Sequence, residues 1–194
     1  IIMKTPIEIN KIKAVILYIL QESGGTLDLI TLFKKMYFSQ KLYLARYGRI
    51  IFNDSFRAKR RGPVPSFTYH SFKCIFNNIE NISEDVKNFD SSFKLYVTDG
   101  IKYVEADDVP NMKEIARMEQ KTIQEILSQT KHLTPDELSE RSHDSAWESA
   151  NKRAKNDPTD DYISIVNMAK AGGATHNVIN YIHQSQQMEA FCAG

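Results

Sequence analysis

Residues 32–69 read LFKKMYFSQKLYLARYGRIIFNDSFRAKRRGPVPSFTY, and whether the chain is built on helices or on sheets depends on how this stretch folds. Its first half has helical spacing. Leu29, Leu32, Phe33, Met36, Tyr37, Tyr43, Leu44 and Tyr47 fall on one face, and Phe38, Leu42 and Ala45 add apolar surface elsewhere, so less than half the circumference is polar. Thr26 can cap this helix, and Gly48 can take the left-handed conformation that ends it. The stretch therefore predicts a central, enclosed helix over 26–47.

The second half is punctuated differently. Arg49–Phe52 reads as a short extended segment, Asn53-Asp54 as a turn, and Pro65 as the first position of a third helix carrying Tyr69, Phe72, Cys74 and Phe76. Between them Arg57, Lys59, Arg60 and Arg61 lead into Gly62-Pro63-Val64-Pro65. Gly62 permits a sharp bend, the prolines stiffen it, and Tyr69 and Phe72 are placed to fasten the following helix to the core. Three readings of the four cations stay open: a solvated turn, a patch that docks an acidic protein surface through arginine forks, and a nucleic-acid contact. No second basic stripe extends the track that a nucleic acid would need.

Working outward, Thr5-Pro6-Ile7-Glu8 is a capping box with proline at the first helical position. Ile9, Ile12, Val15, Ile16, Ile19 and Leu20 then recur at helical spacing up to Ser23-Gly24-Gly25. Ile1 and Ile2 precede Met3, the expected natural start. In FKLYVTDGIKYVEA (93–106) the Asp99-Gly100 pair predicts a two-residue type I′ hairpin, because both central residues need positive φ. Pairing across it sets Leu95 against Val104 and Phe93 against Ala106 on the face toward the helices, and Tyr96 against Tyr103 on the other. After Pro110 comes a helix with Ile115, Met118, Ile123, Ile126 and Leu127 inward. Thr134-Pro135-Asp136-Glu137 repeats the capping box and starts a short helix through Leu138. NKRAKNDPTDD (151–161) is polar and turn-rich, the expected flexible boundary. The tail from Asp161 reads as helix, Gly-Gly turn, helix.

Composition bounds the class. The 194 residues, 42% hydrophobic and 25% charged, suit one globular core with an extension. A formal charge of +1 confines any nucleic-acid role to a local patch. Cys74 and Cys192 lie far apart with no metal or disulfide spacing, which fits a reduced, cytoplasmic setting. The apolar run AVILYIL (14–20) is far short of the ~20 residues that span a bilayer, so no membrane role is expected.

Sites of chemistry are scarce. His143-Asp144-Ser145 resembles a catalytic triad written in a row, but neighbours in sequence cannot hand a proton along the required line; a cap and turn before a helix explains them. His176 and His183 lack companion ligands, and Asp157, Asp160 and Asp161 lack the alternation of a calcium loop. No phosphate-binding glycine motif occurs. Catalytic, cofactor and metal residues are therefore not assigned. Trp147, the single tryptophan, reads as a core anchor. In the tail, Ala169, Gly173, Ile179 and Ile182 have helix-turn-helix spacing over 165–184. The second helix would offer His176, Asn177, Asn180, His183 and Gln184 to base edges, with Lys170 the only strong base nearby. An ordinary helical hairpin fits the same pattern.

The aromatic-rich MYFSQ followed by YLARYGRIIF, the Phe56-x-Ala58 step, and Gly62-Pro63-Val64 with Pro65 and Tyr69 resemble the Panacea family, the SocA-like, phage-associated (GepA-like) antitoxin domains. A second signature follows in LTPDELSERSHDSAW (133–147): Leu138-Ser139, then Ser142-His143, then Trp147. Together they cover roughly residues 7–150. Lys59 and Arg60 stand where the family often has an aromatic after the alanine. The resemblance implies a mostly helical antitoxin that neutralises a toxin by binding it, one domain type serving unrelated toxins, with some relatives delivering the toxin to a protease. It carries over no catalytic residue. The expectation is an α+β, predominantly α-helical protein: a helical core with one β-hairpin over 5–150 and a C-terminal helical extension over 151–194. The expected partner is a cognate toxin protein; its own promoter DNA, a protease and a second copy of the chain in a homo-oligomer are the other partners left open.

Overall fold

The computed structural model describes residues 4–77, 79 and 83–192; Met3, the expected start, lies outside them. The helices are α1 (Pro6–Glu22), α2 (Leu29–Tyr47), α3 (Ser66–Phe76), α4 (Glu84–Asp90), α5 (Arg117–Thr130), α6 (Pro135–Arg141), α7 (Ser145–Asn156), α8 (Ile165–Ala171) and α9 (His176–Cys192). The strands are β1 (Thr26–Asp28), β2 (Phe56–Lys59), β3 (Gly62–Pro65), β4 (Phe93–Thr98), β5 (Ile101–Ala106) and β6 (Tyr162–Ile163). They form two antiparallel three-stranded sheets, ordered β1-β5-β4 and β3-β2-β6. The α+β, predominantly helical class holds. The architecture adds a second sheet where the sequence led to one hairpin.

Helix α2 is the axis, as its periodicity predicts. Every residue from Thr31 to Gln40 is buried, and α1, α5, α6 and α8 lie against it. Asp28 rather than Thr26 is its cap, accepting from the Thr31 amide at 2.9 Å, because Thr26 is drawn into β1 opposite Glu105. Gly48 ends it at φ 65°. Tyr47, expected inside, is exposed, since the last turn leaves the core. A helix buried all round encloses its polar side chains too, and each must find a partner. Gln40 Nε2 donates to the Phe52 carbonyl at 2.9 Å while its Oε1 accepts from the Ile51 amide at 2.8 Å. That contact holds Arg49–Phe52 as irregular chain and not as the expected extended segment.

The 93–106 hairpin forms as the sequence predicts. Asp99 and Gly100 have φ 52° and 76°, the register is Leu95↔Val104, Phe93↔Ala106 and Tyr96↔Tyr103, and the two tyrosine rings stack at 5.5 Å. Phe93 joins Phe72 and Phe89 in an aromatic cluster with centroids 5.2–5.6 Å apart. Helix α3 starts at Ser66, one residue past Pro65, and its first turn is capped from a distance: the buried Asp54 carboxylate accepts from the Phe67 and Thr68 amides at 2.8 and 3.0 Å. Tyr69, expected to anchor α3, is 42% exposed and only leans edge-on against Phe33; Phe72 does the anchoring. Met118 is likewise exposed, whereas Ile115, Ile123, Ile126 and Leu127 are buried.

The connection expected to be flexible is pinned. Helix α7 continues to Asn156, Arg153 reaches Asp160, and Asp161 is buried. Tyr162 and Ile163 then pair with Arg57 and Phe56. The tail forms the predicted pair, α8 and α9, with Ala169, Ile179 and Ile182 buried and Gly173 at φ 85° in the turn.

Candidate partner-docking face

The basic segment is itself a hairpin. Lys59 pairs with Gly62, leaving Arg60 and Arg61 as the two turn residues. Gly62 has φ 94°, the left-handed step that follows a type I turn in a bulged hairpin. It is also tightly enclosed: a Cβ there would sit 2.1 Å from Ser142 Oγ and 2.9 Å from Lys34 Cε. Glycine is required twice over, by backbone and by space.

What encloses it is a set of side chains aimed at the hairpin's carbonyls. Trp147 Nε1 donates to the Lys59 carbonyl at 3.0 Å, Ser139 Oγ to that of Arg61 at 2.9 Å, and Lys34 Nζ to that of Pro63 at 2.8 Å. His143 lies against the Arg60 backbone and stacks on Trp147 at 3.9 Å. Ser142 Oγ donates to the Ser139 carbonyl at 2.6 Å, tightening the end of α6. Asp144 caps α7 through the Ala146 and Trp147 amides and accepts from Tyr37 Oη at 2.9 Å and Lys41 Nζ at 2.7 Å. Asp144 is thus the helix cap that the sequence suggested, and His143 adds a contact to the hairpin that it did not. Trp147 is a half-buried anchor with a polar task.

Electrostatics follow from this enclosure. Burial, and secondarily the Arg61 charge, lower the Lys34 pKa to about 7. Desolvation, and secondarily Lys34, lower that of His143. At Asp161 it is the charged form that is favoured. Burial acts to raise its pKa, but hydrogen bonds from Lys59 and Arg57 overcome that and hold it below the usual carboxylate range.

The four expected contact cations have different fates. Arg57 and Lys59 both bind Asp161, at 2.7 and 2.5 Å, and Arg57 also reaches the Thr159 carbonyl. They hold β6 to β2. Arg61 pairs with Asp136 at the surface. Arg60 alone of the four has no side-chain ion pair among the described residues.

Beside the hairpin tip opens a groove of about 800 Å³, lined by Arg60 and Arg61 and by residues 100–103 of the 93–106 hairpin. Leu29 and Phe33 of α2, Val64, Tyr69, Ile101 and Tyr103 give it an apolar floor, and Lys102 also lines it. Ile101 is 48% exposed. The sequence flagged the basic tip and, as structural positions, Val64 and Tyr69; Lys34, Ile101 and Lys102 come from segments whose convergence has no local signal.

The other expected contact residues lie elsewhere. Lys170, His176, Asn177, Asn180, His183 and Gln184 are exposed on α8 and α9. Among the described residues no three histidine, cysteine, aspartate or glutamate side chains gather as a metal site, and no helix is long and apolar enough to cross a membrane.

The β-hairpin backbone is thus gripped from the buried helix α2 on one side and from α6–α7 on the other. The family model of the SocA-like antitoxin, Panacea domain, matches residues 32–148, and the chain belongs to that family. The matched stretch contains both halves of the clamp, from Lys34 to Trp147. Membership points to an antitoxin role and to a toxin as the kind of partner. No curated protein and no solved structure matches the chain.

Proposed function

We propose that this protein is an antitoxin that neutralises its cognate toxin by direct binding, with the Arg60–Arg61 hairpin in the interface. The supporting observation is the clamp: carbonyls of Lys59, Arg61 and Pro63 are each held by a side chain from another element. A tip fixed in this way loses little conformational freedom on docking, so more of the contact energy appears as affinity. Arg60 contributes a guanidinium with no internal partner among the described residues, suited to a carboxylate of the toxin.

Co-expression with the product of the neighbouring gene tests this. Growth is restored and the two proteins copurify; the R60E/R61E variant stays folded and loses capture. Unchanged capture by that variant removes the hairpin from the interface, and rescue without copurification points to control of transcription instead.

A second reading, a transcriptional autoregulator, draws support from the α8–α9 pair, which leaves Lys170, His176, Asn177, Asn180 and His183 on exposed positions. A gel shift on the protein's own promoter separates the two, since substitutions at Asn177 and Asn180 abolish DNA binding in that reading and spare toxin capture.

A further inference from the structure

The groove between the two hairpin turns combines an apolar floor with a cationic rim, and its few acids are engaged. Asp28 spends Oδ1 on the Thr31 amide at 2.9 Å, and Asp136 is paired with Arg61. That pair is exposed on both sides, so it contributes little and exchanges readily for a carboxylate from outside. Lys102 Nζ rests 4.9 Å from the centroid of the Phe76 ring with no ion pair among the described residues, and Arg60 lines the same groove. Phe33 and Tyr69 meet edge-to-face at 6.3 Å, which gives the floor an aromatic pair.

We propose that this groove receives an acidic segment of the toxin that carries an aromatic or large aliphatic side chain. The apolar group seats on Leu29, Phe33, Tyr69 and Ile101, and flanking carboxylates pair with Arg60 and Lys102. The proposal rests on the antitoxin reading and deepens it by giving the chemistry of the captured segment. Nucleic acid fits less well, because a phosphate track needs a run of cations, and here the cations come from two separate hairpins beside an apolar floor. A central apolar anchor ringed by charged contacts is also the arrangement in which a few residues carry most of the binding energy.

Two measurements on the full chain test it. In the first, an acetylated, amidated Asp-Glu-Phe-Glu-Asp peptide is titrated into isotope-labelled protein; amide shifts concentrate at Tyr69, Ile101 and Lys102, and affinity falls on the order of tenfold when the peptide's Phe is replaced by Ala or the protein carries R60E. Equal binding of a Lys-Lys-Phe-Lys-Lys peptide, or stronger shifts at these amides from a short duplex DNA, overturns the proposal. Concentration-dependent dimerisation that I101D abolishes also overturns it, in favour of a second copy of the chain. In the second, I101D and R60E are co-expressed with the neighbouring gene product. Ile101 is half-exposed at the first position of β5, so I101D folds, which a thermal melt verifies. Loss of copurification by both variants supports the groove. Retained copurification by both leaves the antitoxin reading intact and sinks the groove. Peptide binding at the groove without any toxin capture by the unmodified protein keeps the groove and discards the antitoxin reading.

Discussion

Replacing Lys34 by methionine removes the pH dependence that a buried amine builds into the fold. Lys34 is 1% exposed and its ammonium is held by one carbonyl, so burial lowers its pKa from 10.5 to about 7. The unfolded chain keeps the proton up to about pH 10.4. Between those values the unfolded state binds more protons than the folded one, and stability therefore rises with pH. Below pH 7 both states are charged and the full penalty applies. From pH 6 to pH 9 linkage gives a gain of about 3 kcal/mol from this group. K34M lacks that dependence and loses a hydrogen bond to Pro63, costing about 1–3 kcal/mol at every pH. The methionine variant is thus favoured over the lysine protein at pH 6, and the advantage disappears toward pH 9. Urea titrations of both proteins at the two pH values measure the difference of differences directly. A gap between the variants that does not change with pH refutes the reasoning: Lys34 would then keep its proton, or find an acidic partner, throughout.

G62A is expected to lose about 2–4 kcal/mol, from the left-handed backbone and from displacing Ser142 Oγ and Lys34; a melt unchanged within about 0.5 kcal/mol contradicts the enclosure. W147F removes the hydrogen bond to the Lys59 carbonyl while keeping most of the ring, and should cost about 1–2 kcal/mol by chemical denaturation. D161N releases Arg57 and Lys59. Because the Asp161 pKa lies below its unfolded value, its contribution is complete above about pH 3.9 and is lost as pH falls through the folded pKa, so the variant should lose less stability on acidification below about pH 3.9 than the unmodified protein does and show raised protease sensitivity near residue 160. R60A leaves stability within about 0.5 kcal/mol, since no described internal partner depends on that side chain.

Elements with their own punctuation were legible in the sequence. The Thr5 and Thr134 capping boxes, the Asp99-Gly100 turn and the α2 periodicity are each complete within a few residues, and each formed as expected. The second sheet was not, for a physical reason. Pro63 and Pro65 argue against a strand because they cannot donate to a ladder, yet β3 is the edge of its sheet, where missing donors cost nothing on the open side. Strand β6 has two residues and no pattern to read; it exists because Asp161 binds two cations from β2. Asp54 looked like half of a turn, and its work as a cap is done thirteen residues away. Of the candidate site, composition marked the basic tip. The groove floor was invisible because α2, β3, α3 and β5 each supply only one or two of its residues.

The clamp also explains how one scaffold can present different faces. Trp147, Ser139 and Lys34 address backbone carbonyls, and every amino acid has one. Their hydrogen bonds do not pass through the side chains at 60 and 61, although the Arg61 charge acts on Lys34, whereas Gly62 has no freedom at all. Constraint and variation are therefore separated by a single peptide bond. The interior side fixes where the tip is, and the exterior side is left to chemistry suited to a partner. A partner that contacts the tip through its side chains meets a surface that can be rewritten at little cost to folding. A partner that needed the tip's carbonyls would have to compete with hydrogen bonds already made from within, so capture through side chains at the tip and in the adjoining groove is the mode this architecture favours.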